Sequence, residues 1–310
     1  MKKAGTKSNV RLKTKPPTTI TKQRILVVND EESPREAVAR ALTSAGYQCR
    51  TAADGLDALA VLESEEFDLL LTNFMMPNLD GIGLLMRTKE KFPDMPVVFE
   101  SAVHDISVAL AAIRNGAYDY LLAPFKREQL LTLVGRVLEH RRLKLENRDY
   151  KNNLGSLNIP TSHKPERILV QHNEEPVREI SASMLTSAGY ECRQAASPGE
   201  VLEILRSDDQ FALLLCKVME STEEKLFECM AERVPDIPAV VWGARPVSVF
   251  LDALCEGAYD YITVPFEREQ LLNVVRRAIE YRRLKLENRA LRAQFANVAR
   301  RNSIVSQVPK

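Results

Sequence analysis

The sequence predicts an α/β protein of two doubly wound parallel-sheet domains, each a (βα)5 unit that ends in a helical extension. Three observations lead there. The two halves of the chain repeat one another in order, each half alternates short apolar runs with amphipathic stretches, and a segment rich in Asn, Gly, Ser and Pro separates them.

The repeat comes first because it sets the boundaries. RILVVNDEESPRE at Arg24 returns as RILVQHNEEPVRE at Arg167, and LTSAGYQCR at Leu42 returns as LTSAGYECR at Leu185. GAYDYLLAPFKREQLL at Gly116 returns as GAYDYITVPFEREQLL at Gly257, and RRLKLENR at Arg141 recurs unchanged at Arg282. Gly46 and Gly189 are 143 residues apart and Gly116 and Gly257 are 141 apart, so the chain is a duplication with short insertions and deletions. The expected division is a basic tail over 1–22, a first unit with its extension over 23–150, a linker over 151–165, a second unit over 166–281 and a second extension over 282–310.

Within the first unit Ile25–Val28, Leu69–Leu71, Val97–Phe99 and Tyr118–Leu122 are short apolar runs that read as buried strands. Between them Glu36–Ala45, Leu56–Glu63, Ile82–Lys91 and Ile106–Asn115 carry apolar residues at helical spacing, with Gly46 and Gly116 as stop signals. Strands joined by helices in this way pair in parallel and are covered on both faces. Such sheets gather their chemistry at the carboxyl ends of the strands. That groups Asn29, Asp30, Asn73, Ser101 and Ala123 in the first unit, and His172, Asn173, Lys217, Gly243 and Val264 in the second.

Composition narrows the class. Of the 310 residues 45% are hydrophobic and 27% charged, and 43 Lys+Arg stand against 42 Asp+Glu, a balance that by itself points to no nucleic acid. The five cysteines (Cys49, Cys192, Cys216, Cys229 and Cys255) lack C-x-x-C spacing and read as buried free thiols of a reducing compartment. No apolar run nears the roughly 18 residues of a membrane span and no signal-peptide core opens the chain, so a cytoplasmic protein without membrane contact is expected. Residues 1–22 carry lysines, Arg11, Pro16 and Pro17 with no acid, which reads as a solvated disordered tail. A polyanion-binding arm is the alternative, against which stand the dispersed lysines and the lack of an interleaved aromatic.

Four motifs fall at the strand ends: ILVVND after the first, LLLTNFMMPNLDG after the third, VVFESA at the fourth and AYDYLLAPF at the fifth. In that order and at that spacing they resemble the receiver domain of two-component response regulators over roughly 23–140, and the second unit resembles it over roughly 166–281. A flavin or dinucleotide binder of similar layers would carry G-x-G-x-x-G after a strand, and none is present. The resemblance implies two flavodoxin-like (CheY-like) domains. It also implies a chemistry: a histidine kinase passes a phosphoryl group to an aspartate after the third strand. Two acids after the first strand hold magnesium, a hydroxyl and a lysine contact the phosphoryl oxygens, and an aromatic reports the change.

Carried over by residue, the resemblance puts Asn29 and Asp30 at the acid pair, Asn73 at the acceptor, Ser101 at the hydroxyl, Tyr120 at the switch aromatic and Ala123 at the lysine. The second unit has His172 and Asn173, Lys217, Gly243, Tyr261 and Val264 at those positions. An amide is neither anionic nor a competent nucleophile, and Ala123 removes the neutralising cation. Asp30 is left as the one acid for a weakly held magnesium, with no other cofactor and no catalytic residue expected. Met76, Pro77, Asp80 and Gly81 keep the family's loop, which Met219–Lys225 replaces in the second unit. Lys217 either pairs with Glu174 or Glu175 and fixes one conformation, or runs out to solvent. His172 and Cys216 lie near strand ends without a third ligand at metal spacing, and His104 and His140 read as lone surface histidines.

Each unit ends in a helix longer than its sheet requires. Tyr281, Leu284, Asn288, Leu291, Phe295 and Val298 alternate spacings of four and three, as in a coiled-coil seam in which Asn288 sets register. His140, Leu143, Asn147 and Tyr150 begin the same pattern in the first copy. A homodimer through the C-terminal helix is therefore expected. The leading functional expectation is a non-enzymatic, phosphorylation-independent adaptor of two pseudo-receivers that binds proteins such as histidine kinases or other response regulators. The alternatives are a conventional phosphorelay response regulator phosphorylated at Ser101 or through Asp30, and a nucleic-acid-associated dimer that uses the basic tail and C-terminal helix.

Overall fold

Period-two patterning decides the layers. In β1 (Arg24–Val28), Ile25 and Val27 face one side of the sheet while Leu26 and Val28 face the other, and all four are buried. The computed structural model describes residues 22–101, 111–154, 165–207, 210–217, 223–243, 253–254 and 257–305. After β1 the first unit continues with α1 (Glu32–Ser44), β2 (Gln48–Ala52), α2 (Gly55–Ser64), β3 (Leu69–Asn73), α3 (Gly81–Lys91), β4 (Val97–Ser101), β5 (Asp119–Leu122) and α4 (Arg127–Leu154). The second repeats it: β6 (Arg167–Gln171), α5 (Glu175–Thr186), β7 (Glu191–Ala195), α6 (Pro198–Ser207), β8 (Leu213–Lys217), α7 (Glu223–Arg233), β9 (Ala239–Gly243), β10 (Asp260–Thr263) and α8 (Arg268–Val305).

Both sheets are parallel and five-stranded, ordered β2-β1-β3-β4-β5 and β7-β6-β8-β9-β10, so the flavodoxin-like α/β fold is present twice. β2 (QCRTA) and β7 (ECRQA) are half-exposed edge strands whose polar sequences do not announce them. The helix expected over Ile106–Asn115 lies mainly outside the described residues, within which 111–114 are helical. The basic tail falls outside them up to residue 21, as do His104, Cys255 and residues 155–164 of the linker. Residues 151–154 finish α4 rather than open the linker.

In the first unit Ile25, Val27, Leu69, Leu71 and Val98 pack under Val38 and Leu42 of α1 and Leu130, Val134 and Val137 of α4. Leu26, Leu70, Val97 and Phe99 pack under Ala58 and Leu62 of α2 and Leu84 of α3. Each fully buried side chain of this kind contributes roughly 1.5–3 kcal/mol. Gly46, at φ +100, closes α1 in a conformation that an L side chain rarely adopts. The cysteines differ from the expectation of a uniformly buried set: Cys216 is buried, whereas Cys49, Cys192 and Cys229 are half-buried, since the edge strands and helix surfaces that carry them are partly open. None of the described helices is long and apolar enough to cross a membrane.

The units meet through β5, β10 and the two long helices, in a pairing whose contacts map onto each other by the repeat. Arg136 and Arg277 are equivalent, as are Asp119 and Asp260. Arg136 binds Asp119 at 2.7 Å and also pairs with Asp260 across the junction. Arg277 binds Asp260 at 2.8 Å and Asp119 at 2.7 Å. Each guanidinium stacks over the other unit's tyrosine, Arg136 on Tyr259 and Arg277 on Tyr118. Burial works against both cations, but the two aspartates outweigh it and hold both guanidinium pKa values above the ordinary arginine range.

Above this network α4 and α8 run side by side. Asn147, 1% exposed, donates to the Leu284 carbonyl at 3.0 Å, and Asn288 donates to Asn147 Oδ1 at 2.8 Å. Tyr150 meets Phe295 edge-on. The seam expected to bind a second chain is thus covered by the first unit's own helix: the duplication supplies a matching seam in the same chain, at high local concentration. Asn288 is the buried polar residue anticipated, with an intrachain partner. Replacing Asn147 with alanine leaves the Asn288 amide without its acceptor inside the seam, and a loss of about 1–3 kcal/mol in urea unfolding is expected. His140, expected at the surface, is 5% exposed because this pairing covers it.

Candidate functional site

The carboxyl ends of β1, β3 and β4 bring together three of the residues singled out from sequence, and one that was not. Asn29 is buried; its Oδ1 accepts from the Glu31 N–H at 2.9 Å, which turns its Nδ2 toward Glu100 Oε1 at 2.9 Å. Asn73 is set by the same logic. Its Oδ1 accepts from the Phe74 N–H at 2.7 Å, so Nδ2 donates to Asp30 Oδ1 at 3.1 Å and to the Met75 carbonyl at 2.9 Å. Arg35 Nη1 donates to the Asn29 carbonyl at 2.6 Å and braces the turn that carries Asp30.

Glu100, the residue before Ser101 in VVFESA, alters the expected charge count at this end of the sheet. Its side chain is 5% exposed, and Oε2 has no hydrogen-bond partner among the described residues. Burial pushes its carboxyl up to about 7, against the pull of the Asn29 amide. The single-acid site expected from sequence therefore holds a second carboxyl, though one turned to Asn29. The signal for it is in the sequence, since a glutamate in the otherwise apolar run VVFE is rare in a buried strand.

The loop after β3 keeps its shape for steric reasons. A Cβ on Gly81 would sit 2.3 Å from the Asn73 carbonyl oxygen, so only glycine lets α3 start this close to the site. Asp80 caps α3 by accepting from the Gly83 N–H at 2.7 Å. Ser101 ends β4. Ala123 follows β5 beside Pro124, and the Tyr120 hydroxyl accepts from Gln270 Nε2 of the second unit at 3.1 Å. The magnesium implied by the resemblance needs carboxylate oxygens. Asn29 and Asn73 instead present N–H donors that are already committed to Glu100 and Asp30, so these residues do not fit the ion. The Asn73 amide spans the gap to Asp30 directly.

At the equivalent end of the second unit, His172 reproduces the Asn29 turn. Its Nδ1 accepts from the Glu174 N–H at 3.0 Å, and Arg178 donates to its carbonyl at 2.7 Å. Its ring packs edge-on against Trp242, the counterpart of Glu100, so an aromatic pair stands where the first unit has an amide and an acid. Burial and then the Lys217 charge hold the His172 pKa below the usual histidine range. Lys217 Nζ donates to Asn173 Oδ1 at 2.8 Å and lies 3.7 Å from Glu174, so of the two fates open to it from sequence it takes the paired one. Gly243 ends β9 buried, Val264 packs beneath the second sheet, and Tyr261 is half-buried with its phenol pushed up to about 12 by burial and by Asp260. Residues 219–222 of the segment Met219–Lys225 lie outside the described residues.

The family model described as "Response regulator receiver domain" matches residues 25–135. Residues 25–135 are a response regulator receiver domain. Over 136 residues the chain is 37% identical to the DNA-binding transcriptional regulator NtrC of Proteus hauseri, covering 44% of this chain and 29% of that protein. It is 38% identical over 116 residues to NtrC of Escherichia coli, covering 37% and 25% respectively. Among solved structures, the NtrX receiver domain of Brucella abortus is 39% identical, with 37% of this chain and 98% of that one covered at a TM-score of 0.36. The chain spans about a quarter of the length of the curated relatives it matches.

Within the receiver domain the parallel sheet is the one expected. What differs is the wiring of the strand ends, where two amides each hold one carboxyl. Pairing of the receiver domain with the second unit through Arg136 and Arg277 was not legible either, since each arginine reads alone as a solvated helix charge.

Proposed function

We propose that the protein is a non-enzymatic adaptor of two-component signalling, whose two receiver-type units bind protein partners without phosphoryl transfer. The observation that carries this reading is the Asn73 amide, bound to Asp30 at 3.1 Å where an anionic acceptor and a metal would have to meet. Acyl phosphate formation needs a carboxylate nucleophile and charge neutralisation. Asn73, Ala123 and the donor-bearing Asn29 provide neither, and Lys217 in the second unit places a cation at the acceptor position. The partners this reading names are histidine kinases and other response regulators in the cytoplasm, met through faces that the unit pairing leaves open. The nucleic-acid reading loses support from Arg289 and Arg292, which are committed to Asp236 at 2.8 Å and to Glu146 at 2.6 Å.

Incubation with magnesium and acetyl phosphate, read by intact mass, should give no phosphoryl adduct, and beryllofluoride should leave Trp242 fluorescence unchanged. The triple variant Asn29→Asp, Asn73→Asp, Ala123→Lys is the positive control and should gain a magnesium-dependent adduct. Stoichiometric labelling of the native chain that disappears in Asp30→Ala would overturn the adaptor reading.

A further inference from the structure

A second concave site lies at the junction of the units, on the opposite side of the receiver domain from the strand ends. It is a cleft of about 200 Å³ formed by the end of α3, the loop before β5, the middle of α4 and one face of α8. Lys89, His140, Arg141 and Lys144 of the first unit and Arg277 of the second line it, against two acids, Asp94 and Glu280. The lining is therefore cationic by two charges with His140 neutral.

Three of its nitrogen atoms have no hydrogen-bond partner among the described residues. His140 Nδ1 is taken by the Tyr118 hydroxyl at 2.7 Å, and Nε2, buried, has no hydrogen-bond partner among the described residues. Glu280 stands 3.8 Å from Nε2, beyond hydrogen-bond reach, and is 42% exposed. The Nε–H groups of Arg141 and Arg277 are likewise buried and unpartnered, although their other nitrogens hold Asp68, Asp119 and Asp260. Asp94 is engaged by Arg148 and Lys144. Lys89 donates to the Met95 carbonyl at 3.1 Å, and among the described residues no ion pair holds it; burial and then Lys144 hold its ammonium below the ordinary lysine range, against the pull of Asp94. The equivalent Arg136 and Arg282 Nε–H groups of the second unit are buried and unpartnered in the same way, so it is the unpartnered His140 Nε2 that sets the first cleft apart.

The repeat supplies an internal comparison. An equivalent cleft lies in the second unit, lined by Pro235, Tyr259, Arg282, Lys285 and Arg136. There Tyr281 replaces His140, and Ala231 stands at the position of Lys89. The fold and the junction thus produce the cleft twice, and only the first copy adds a histidine and a lysine to it.

We propose that the first cleft binds a small tetrahedral oxyanion, a phosphate or the phosphate of a compact phosphomonoester, held by Lys89, His140, Arg141 and Arg277. Size and chemistry agree: the cleft admits phosphate with a few further atoms, and a lining with a surplus of positive charge suits phosphate oxygens. Because Arg277 belongs to the second unit, the anion bridges the units and stabilises their pairing.

Isothermal titration of the full chain with inorganic phosphate, and separately with glycerol phosphate, tests this at constant ionic strength. Saturable one-to-one binding is expected, weakened about tenfold or more by Lys89→Ala and by His140→Tyr, the residues of the second copy. Phosphate should also raise the thermal midpoint of the native chain more than that of Lys89→Ala, which separates binding from the general effect of kosmotropic salt. Preference for glycerol phosphate would assign a phosphomonoester and preference for phosphate the free ion. No saturable binding of either, or equal binding by folded Lys89→Ala, would overturn the proposal.

Discussion

Replacing Arg277 with methionine should cost about 3–5 kcal/mol. The side chain is 8% exposed and holds Asp260 at 2.8 Å and Asp119 at 2.7 Å, both themselves buried. Once it is gone, two largely buried carboxylates share Arg136 alone. The cost comes from that uncompensated charge more than from the worth of the original pair. Joint replacement of Arg136, Arg277, Asp119 and Asp260 by apolar residues of similar volume should therefore be far milder than the single change.

The same variant should uncouple the units, and the chain carries its own probe. Its single tryptophan, Trp242, is fully buried in the second unit's core and donates to the Gln171 carbonyl at 3.2 Å. In the native chain, urea transitions followed by Trp242 fluorescence and by far-ultraviolet circular dichroism should coincide, because the junction makes the units one cooperative body. In Arg277→Met the fluorescence midpoint should part from the circular dichroism one. Coincident transitions with a loss below about 1 kcal/mol would show that the network carries little of the pairing.

Particular residues show why some of this was readable in advance and some not. Asn29, Asp30 and Asn73 could be placed because strand ends follow from local periodicity, and in a parallel sheet all carboxyl ends meet on one side. Lys217 could be given candidate partners for the same reason. Arg136 and Arg277 could not, since a guanidinium on an amphipathic helix looks the same whether it meets water or another unit's aspartate. Tertiary pairing between distant segments leaves no period in the sequence. Asn288 lies between these cases: the heptad pattern located a buried polar residue, and the repeat of LKLEN at Leu143 and Leu284 named its partner to anyone who asked whether the seam closes within one chain. His140 reads as a surface residue on its own helix because part of its cover, Tyr281, comes from α8.

Glu100→Gln should stabilise the protein at alkaline pH and leave it almost unchanged in acid. Burial raises the Glu100 carboxyl from the ordinary 4.5 to about 7 in the folded chain, and its Oε2 finds no donor. A carboxyl raised on folding binds its proton more tightly in the native state. Its favourable contribution is complete below about pH 4.5 and is lost as pH climbs through about 7. That gap corresponds to roughly 3 kcal/mol between the two limits, part of which the protein relieves by relaxation and water entry. Glutamine keeps the shape and cannot ionise, so urea midpoints measured from pH 5 to 8 should fall for the native chain and stay level for the variant. Parallel curves would sink the assignment. A level native curve that Glu100→Gln lowers uniformly would instead mean that the carboxylate form is the one the fold favours. The consequence reaches the strand ends through Asn29, whose amide is held by Glu100 on one side and whose backbone carries Asp30 on the other. Ionisation of one buried acid then bears on the position of the exposed Asp30 carboxylate beside Asn73.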